Sequence, residues 1–158
     1  MFLVLAILLQ PTDEEQALKV CETYFASMKK GEFEAAADAM HPMSLKKMRK
    51  ALVGGADKEP DAQKLQIAAY WGFKTWKDLK DASDRLFFIH SCRKIGAAGA
   101  GTDAKFLGSL KKGEFVYVVA ELTYREGDDV QVLPTLLVCY RDGERWKMAN
   151  RGETNVGR

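Results

Sequence analysis

Proton transfer is the chemistry this chain is best equipped for, and it needs a general base and a hydrogen-bond donor converging on one spot. The chain has two histidines, and His90 is the candidate base. It stands between Phe88 and Cys92 in an apolar run, and an imidazole with an ordinary pKa of about 6.5 is tuned by small changes of environment. Tyr24, Tyr117 and Tyr140 are the candidate donors. Strand positions facing the interior carry no Asp or Glu except Glu121, which sits where its face turns polar. The competing reading of His90 is a hydrogen-bonded structural histidine on an apolar face. His41, next to Pro42, reads as a C-terminal helix cap that suits the dipole.

Other chemistries find less to work with. Three cysteines, Cys21, Cys92 and Cys139, lie far apart and share no metal-ligand spacing, and there is no CxxC or HExxH. All three sit in apolar patterns, which favours buried free thiols over a disulfide. Gly96, Gly99 and Gly101 lack phosphate-loop spacing and its Lys-Ser/Thr ending. No Ser or Cys has a nucleophile-elbow context. No metal and no cofactor is implied. Lys46, Lys47, Arg49 and Lys50 form a basic helix face, but without interleaved aromatics it reads as solvated, and nucleic acid is set aside as a partner.

Binding is the broader alternative. Pockets are mostly apolar with a few polar groups. Tyr24, Phe88, His90, Tyr117, Tyr140 and Trp146 would supply such a lining for a small apolar molecule, with Phe25, Trp71 and Phe73 nearby in pattern. The same aromatics could equally fill a core.

These side chains are positioned by helices first and strands afterwards. Thr12 to Glu15 carries an N-cap and its capping-box partner, and Ala17, Cys21, Tyr24 and Met28 recur at helical spacing up to Lys29-Lys30-Gly31. A second helix runs from Glu32 to Met40 and stops at His41-Pro42. Ser44 caps a third, which Gly54-Gly55 ends. A fourth spans about Asp61 to Trp71, and Thr75 caps a short turn holding Trp76 and Leu79. Leu86, Phe88, His90 and Cys92 alternating with Phe87 and Ile89 predict a strand over Asp84 to Lys94. Gly96 to Gly101 reads as a flexible loop, and Lys105 to Leu110 as a strand.

Glu114 to Lys147 then reads as a three-stranded meander. Val116, Val118, Ala120, Leu122 and Tyr124 share one apolar face by strand alternation. Val130 to Tyr140 is apolar on both faces, with Pro134 marking a bulge or an edge. Arg141-Asp142-Gly143-Glu144 is a hairpin turn leading to Trp146. Helices followed by an antiparallel meander give the α+β class, with N-terminal helices packed on a strongly curved antiparallel sheet.

At 158 residues one domain is expected, over 12–158. A hydrophobic fraction of 47% and a charged fraction of 29% fit an ordinary globular chain, and a net charge of +2 selects no anionic partner. Residues 1–10 form a separate apolar segment. Met1 to Leu9 is shorter than the about 20 residues that span a bilayer, so no transmembrane segment is expected. Its length suits a signal-peptide core, yet no Lys or Arg precedes it and no small-x-small site follows. Export, to the exterior or a periplasm, and retention in the cytoplasm both stay open.

The opening helices ALKVCETYFASMKKGEFEAAADAMHP and the closing meander ending DGERWKMAN resemble the nuclear-transport-factor-2-like superfamily, whose cone-shaped fold is shared with ketosteroid isomerase and scytalone dehydratase. The resemblance covers roughly Glu14 to Asn150 in element order and pattern. It departs at Gly54 to Asp84, which is long for that position and would form a lid or thicken one wall. Such families include enzymes, binders and structural modules, so three functions follow as expectations. The first is a non-enzymatic module binding a small apolar ligand or a protein partner in or on the cone. The second is an isomerase- or dehydratase-like enzyme using His90. The third is a structural module forming a homodimer through the sheet.

Overall fold

The computed structural model describes residues 10–96, 103–126 and 128–149. Helix α1 (Asp13–Lys30) organises it. Thr12 caps it as its spacing predicts: the Thr12 hydroxyl accepts from the Glu15 N–H at 3.2 Å, and the Glu15 carboxylate accepts from the Thr12 N–H at 2.7 Å. Gly31 ends it at φ 75°, where its N–H reaches the Met28 carbonyl and the Glu32 N–H reaches that of Ser27. Ala17, Cys21, Phe25 and Met28 are its buried stripe.

The stripe faces a four-stranded antiparallel sheet of order β1 (Asp103–Lys112), β2 (Phe115–Glu126), β3 (Asp129–Asp142) and β4 (Arg145–Met148). Val116, Val118, Ala120 and Leu122 of β2 and Cys139 of β3 are fully buried beneath α1. The sheet is curled but not closed, so the α+β class with helices on a curved antiparallel sheet holds. A bulge between Phe106 and Gly108 sharpens the local twist of β1. Pro134 pairs in register with Glu121 and lies where β3 is an edge, because β4 pairs only with Cys139 to Asp142. The edge alternative for Pro134 is the one realised.

Four expectations need correction, one of them that Ser44, expected as the cap of the third helix, lies within it. Asp84 to Lys94 is not a strand but helix α6 (Asp84–Ile95), and His90 is a helical residue. Short apolar runs fit either period, and the ends decide. The Ser83 hydroxyl accepts from the Leu86 N–H at 3.1 Å, and Arg93, Lys94 and Gly96 close the last turn. Phe87, Phe88, Ser91 and Cys92 are buried, the i, i+1, i+4, i+5 stripe of a helix.

His41 is not a C-terminal cap: it is the N-cap of α3 (Pro42–Ala56), its Nδ1 accepting from the Met43 N–H at 3.2 Å, with Pro42 in the first turn. Nor do Gly54 and Gly55 stop that helix, which carries through both to bury Ala56. Each glycine has open space around it, so the cost is conformational entropy alone and the tertiary contact outweighs it.

Helix α2 (Phe33–Ala39) packs beside α1. Helices α4 (Asp61–Tyr70) and α5 (Trp76–Asp81) build a second apolar cluster. Ala68, Phe73, Leu79, Ala82 and Phe87 form it, with Leu52, Ile67, Trp71 and Trp76 around them. The long segment before α6 therefore thickens a wall. Arg49 fastens it, with Nε 2.6 Å from Asp84 and a second donor 2.9 Å from the Lys80 carbonyl. Gly96 is described, whereas the rest of the expected loop to Gly101 lies outside the described residues, as do residues 1–9.

Ala17 has no accessible surface, and its carbonyl lies 3.7 Å from the Cys139 sulfur. A larger side chain there must lift α1 from the sheet. Ala17→Leu is expected to destabilise the domain by roughly 1–3 kcal/mol, read as a lowered denaturation midpoint by circular dichroism.

Candidate functional site

The six candidate pocket residues do not converge. Tyr24 and Phe88 meet across α1 and α6, ring centroids 6.5 Å apart. They belong with Phe25 and Phe106 to the packed interior. His90 joins the other cluster: its ring stacks on Phe73 at 4.5 Å and 21°. Its Nδ1 comes within 3.0 Å of the Cβ position at Gly72, whose φ of 81° already favours glycine. Tyr117 and Tyr140 lie on the face of the sheet turned away from α1, joined through Phe115 at 6.3 and 4.9 Å. Trp146 is 3% exposed and turns the other way, to the first turn of α1.

The inner face is filled by side chains. Open concavities flank it among the described residues, two of them beside β4, and none of the fully buried β2 residues lines either of these two. One, of about 690 Å³, runs between α1, α2 and the β3–β4 turn, with Glu15, Lys19, Asp38, Glu144, Arg145 and Lys147 around Val20 and Trp146. The other, of about 340 Å³, lies where the strand ends close on the start of α1, lined by Asp13, His41, Lys111, Phe115, Tyr140, Arg141 and Trp146.

The second cleft gathers Lys111 and Arg141 on Asp13, and its chemistry is that of a clamp. One Asp13 oxygen accepts from Lys111 Nζ at 2.6 Å, and the other from Arg141 and, at 3.1 Å, from Trp146 Nε1. The Arg141 guanidinium lies over the Trp146 ring, 5.2 Å from its centre. The hydrogen bonds from Lys111 and Trp146, with the Arg141 charge, lower the Asp13 pKa to about 2. A carboxylate so held is ionised and fully engaged near neutrality, which suits anchoring and not proton transfer. His41 borders the cleft with its ring 5.7 Å from Tyr140, its Nδ1 occupied as the cap of α3.

The outer face of the sheet is the largest unexplained feature. Strand register puts Leu110 of β1, Tyr117 and Val119 of β2, and Val132, Leu136 and Val138 of β3 on it together. Leu110 is 65% exposed, Val132 53%, Leu136 47% and Val119 41%. At one end stand Phe115, Tyr117 and Tyr140. Towards the other, Lys105 pairs with Glu121 at 3.3 Å. Val138 on the same face is buried, at 6% exposed, so the exposed patch is made by Leu110, Val119, Val132 and Leu136.

Sequence reasoning singled out Tyr117 and Tyr140 but missed the aliphatics between them, and it missed the clamp. A run apolar on both faces, such as Val130 to Tyr140, was the signal for the first: the helices cover one face only. Asp13, Lys111 and Arg141 lie too far apart in the chain to be joined by inspection. In the basic face of α3, Arg49 is turned to Asp84, which reduces its charge.

The clamp has a definite pH signature. Because Asp13 has a lowered pKa in the folded state, its contribution is complete above the unfolded value of about 3.9 and fades as pH falls through about 2. Asp13→Asn is expected to lower the melting temperature at neutral pH and to flatten the loss of stability between about pH 4 and 2. Thermal melts of both proteins across that range provide the comparison.

Compared with protein-family models, with curated proteins and with solved structures, the chain finds no match in any of the three.

Proposed function

We propose that this domain is a non-enzymatic interaction module that pairs with a second copy of itself through the outer face of its sheet. The observation that carries the reading is the uncovered apolar surface made by Leu110, Val119, Val132 and Leu136. Patches of this kind on a monomer mark an interaction surface.

A second copy is the occupant that the surface suits best. Three strands about 4.8 Å apart, a dozen residues long at roughly 3.3 Å each, offer roughly 550 Å² in projection. Side-chain relief adds to that, and a stable interface takes about 800 Å² from each partner. Sheets also pack face to face readily, about 10 Å apart, by interdigitating such residues. Lys105 and Glu121 put both signs of charge on the same face, so a two-fold axis can set each against its opposite on the other copy.

Membership of the nuclear-transport-factor-2-like superfamily is part of the same proposal, supported by the order of elements and by the curled sheet wrapped on α1. A small apolar ligand inside the cone has weaker support, because the fully buried Val116, Val118, Ala120 and Leu122 occupy its centre. Tyr117 and Tyr140, expected as pocket residues, become in this reading the aromatic end of the interface.

Sedimentation velocity over a dilution series tests the pairing. The wild-type chain is expected to sediment as a dimer. Leu136→Glu, a change at an exposed position opposite Val119, is expected to give a monomer with unchanged far-ultraviolet circular dichroism. A wild-type monomer at every concentration overturns the reading, as does a dimer indifferent to Leu136→Glu.

A further inference from the structure

Two thiols from opposite ends of the chain meet in the core. Cys21 on α1 and Cys139 on β3 are both without accessible surface, and their sulfurs stand 3.5 Å apart across a separation of 118 residues. Both are free thiols here. We propose that Cys21 and Cys139 form a structural disulfide when the chain folds under oxidising conditions, stapling α1 to the sheet.

The geometry needs little change. A disulfide requires about 2.05 Å between sulfurs, so the two, 3.5 Å apart, must close by about 1.5 Å. The surroundings favour approach, since Ala17 precedes Cys21 by one turn and its carbonyl already touches the Cys139 sulfur. Cys92 lies on α6 in the same core cluster, but the 3.5 Å contact joins the sulfurs of Cys21 and Cys139, and these two are the pair set to crosslink.

Burial also settles when the bond forms. The hydrogen bond with Cys139 and the loss of solvent push the Cys21 thiol well above its ordinary range, so Cys21 holds little thiolate in the folded state. The thiolate is the attacking species in exchange, and the sealed pair is therefore slow to react. Bond formation belongs to folding, before α1 is seated. One thiolate attacks a low-molecular-weight disulfide and releases one thiol, and the second protein thiolate then displaces the other from the mixed disulfide. The two cysteines together give up two electrons and two protons, and the small disulfide becomes two thiols. Once α1 docks, the same burial shields the bond from reductant.

Refolding the full chain from denaturant tests this, with reduced glutathione alone or with a mixture of reduced and oxidised glutathione. The expected product in the mixture is lighter by two hydrogen atoms. Its non-reduced digest joins the Cys21 and Cys139 peptides, and its melting temperature exceeds that of the reduced protein by on the order of 10 °C. Cys92→Ser should keep the crosslink and Cys21→Ser should lose it. The proposal fails if the chain refolded in the mixture keeps three alkylatable thiols, or if Cys92 is in the bond. It fails equally if the crosslinked chain melts no higher than the reduced one or does not regain its circular dichroism.

Discussion

The seating of α1 in the concave face of the sheet is the constraint on which the rest of the structure depends. Its buried stripe grows along the helix from Ala17 and Cys21 to Phe25 and Met28. At the small end the helix backbone comes within van der Waals reach of β3, where the Ala17 carbonyl meets Cys139. At the large end Phe25 holds Phe106 of β1 with centroids 6.1 Å apart. That gradient of side-chain size makes one end of the trough narrow and the other wide. The helix also crosses obliquely. Asp13 and Cys21 are separated by about 12 Å of helix, yet they touch Arg141 and Cys139, only about 7 Å apart along β3. Further along, Lys29 reaches Asp103 at the start of β1.

A helix lying diagonally in a curled sheet uses up the inner face and leaves the outer one bare. The other helices cannot compensate. Helix α2 and parts of α3 and α6 complete the core against α1, Leu45 of α3 among them, while the rest of α3 packs with α4, α5 and Phe87 in the second cluster. Ion pairs hold this arrangement, with Arg85 on Asp38 and Arg93 on Glu34 tying α6 to α2. The exposed aliphatics of the sheet are thus a consequence of where the helices had to go. Their hydrophobic penalty is removed only by something from outside the described fold.

Much of this was legible from the chain. The capping signals at Thr12, Gly31 and Thr75 were read correctly because each depends on residues within one turn. The inward set on β2 followed from strict alternation, which is why its face could be assigned before its partner was known. The strand expected over Asp84 to Lys94 gives way to a helix because a run of apolar residues carries no period of its own, and the Ser83 cap decides it. The candidate pocket residues scatter for a different reason. Tyr24, His90, Tyr117 and Trp146 were grouped by residue type, and type does not reveal facing. A one-residue difference of register separates Tyr117 on the outer face from Val116 and Val118 in the core.

The reactive groups of the interior are each held in an unreactive state by a nameable cause. Asp13 is ionised and shared among Lys111, Arg141 and Trp146. Cys92 is pushed up to about 12 by burial, and Cys21 still further by its partner and its burial. Ser91 donates to the Phe87 carbonyl one turn back at 2.9 Å. Among the described residues no buried side-chain nitrogen or oxygen lacks a hydrogen-bond partner. A site that does chemistry usually keeps one group poised and incompletely paired, since its energy is meant to be recovered when substrate binds. Here the unsatisfied free energy lies at the surface, in the exposed aliphatic side chains of β1, β2 and β3 on the outer face of the sheet.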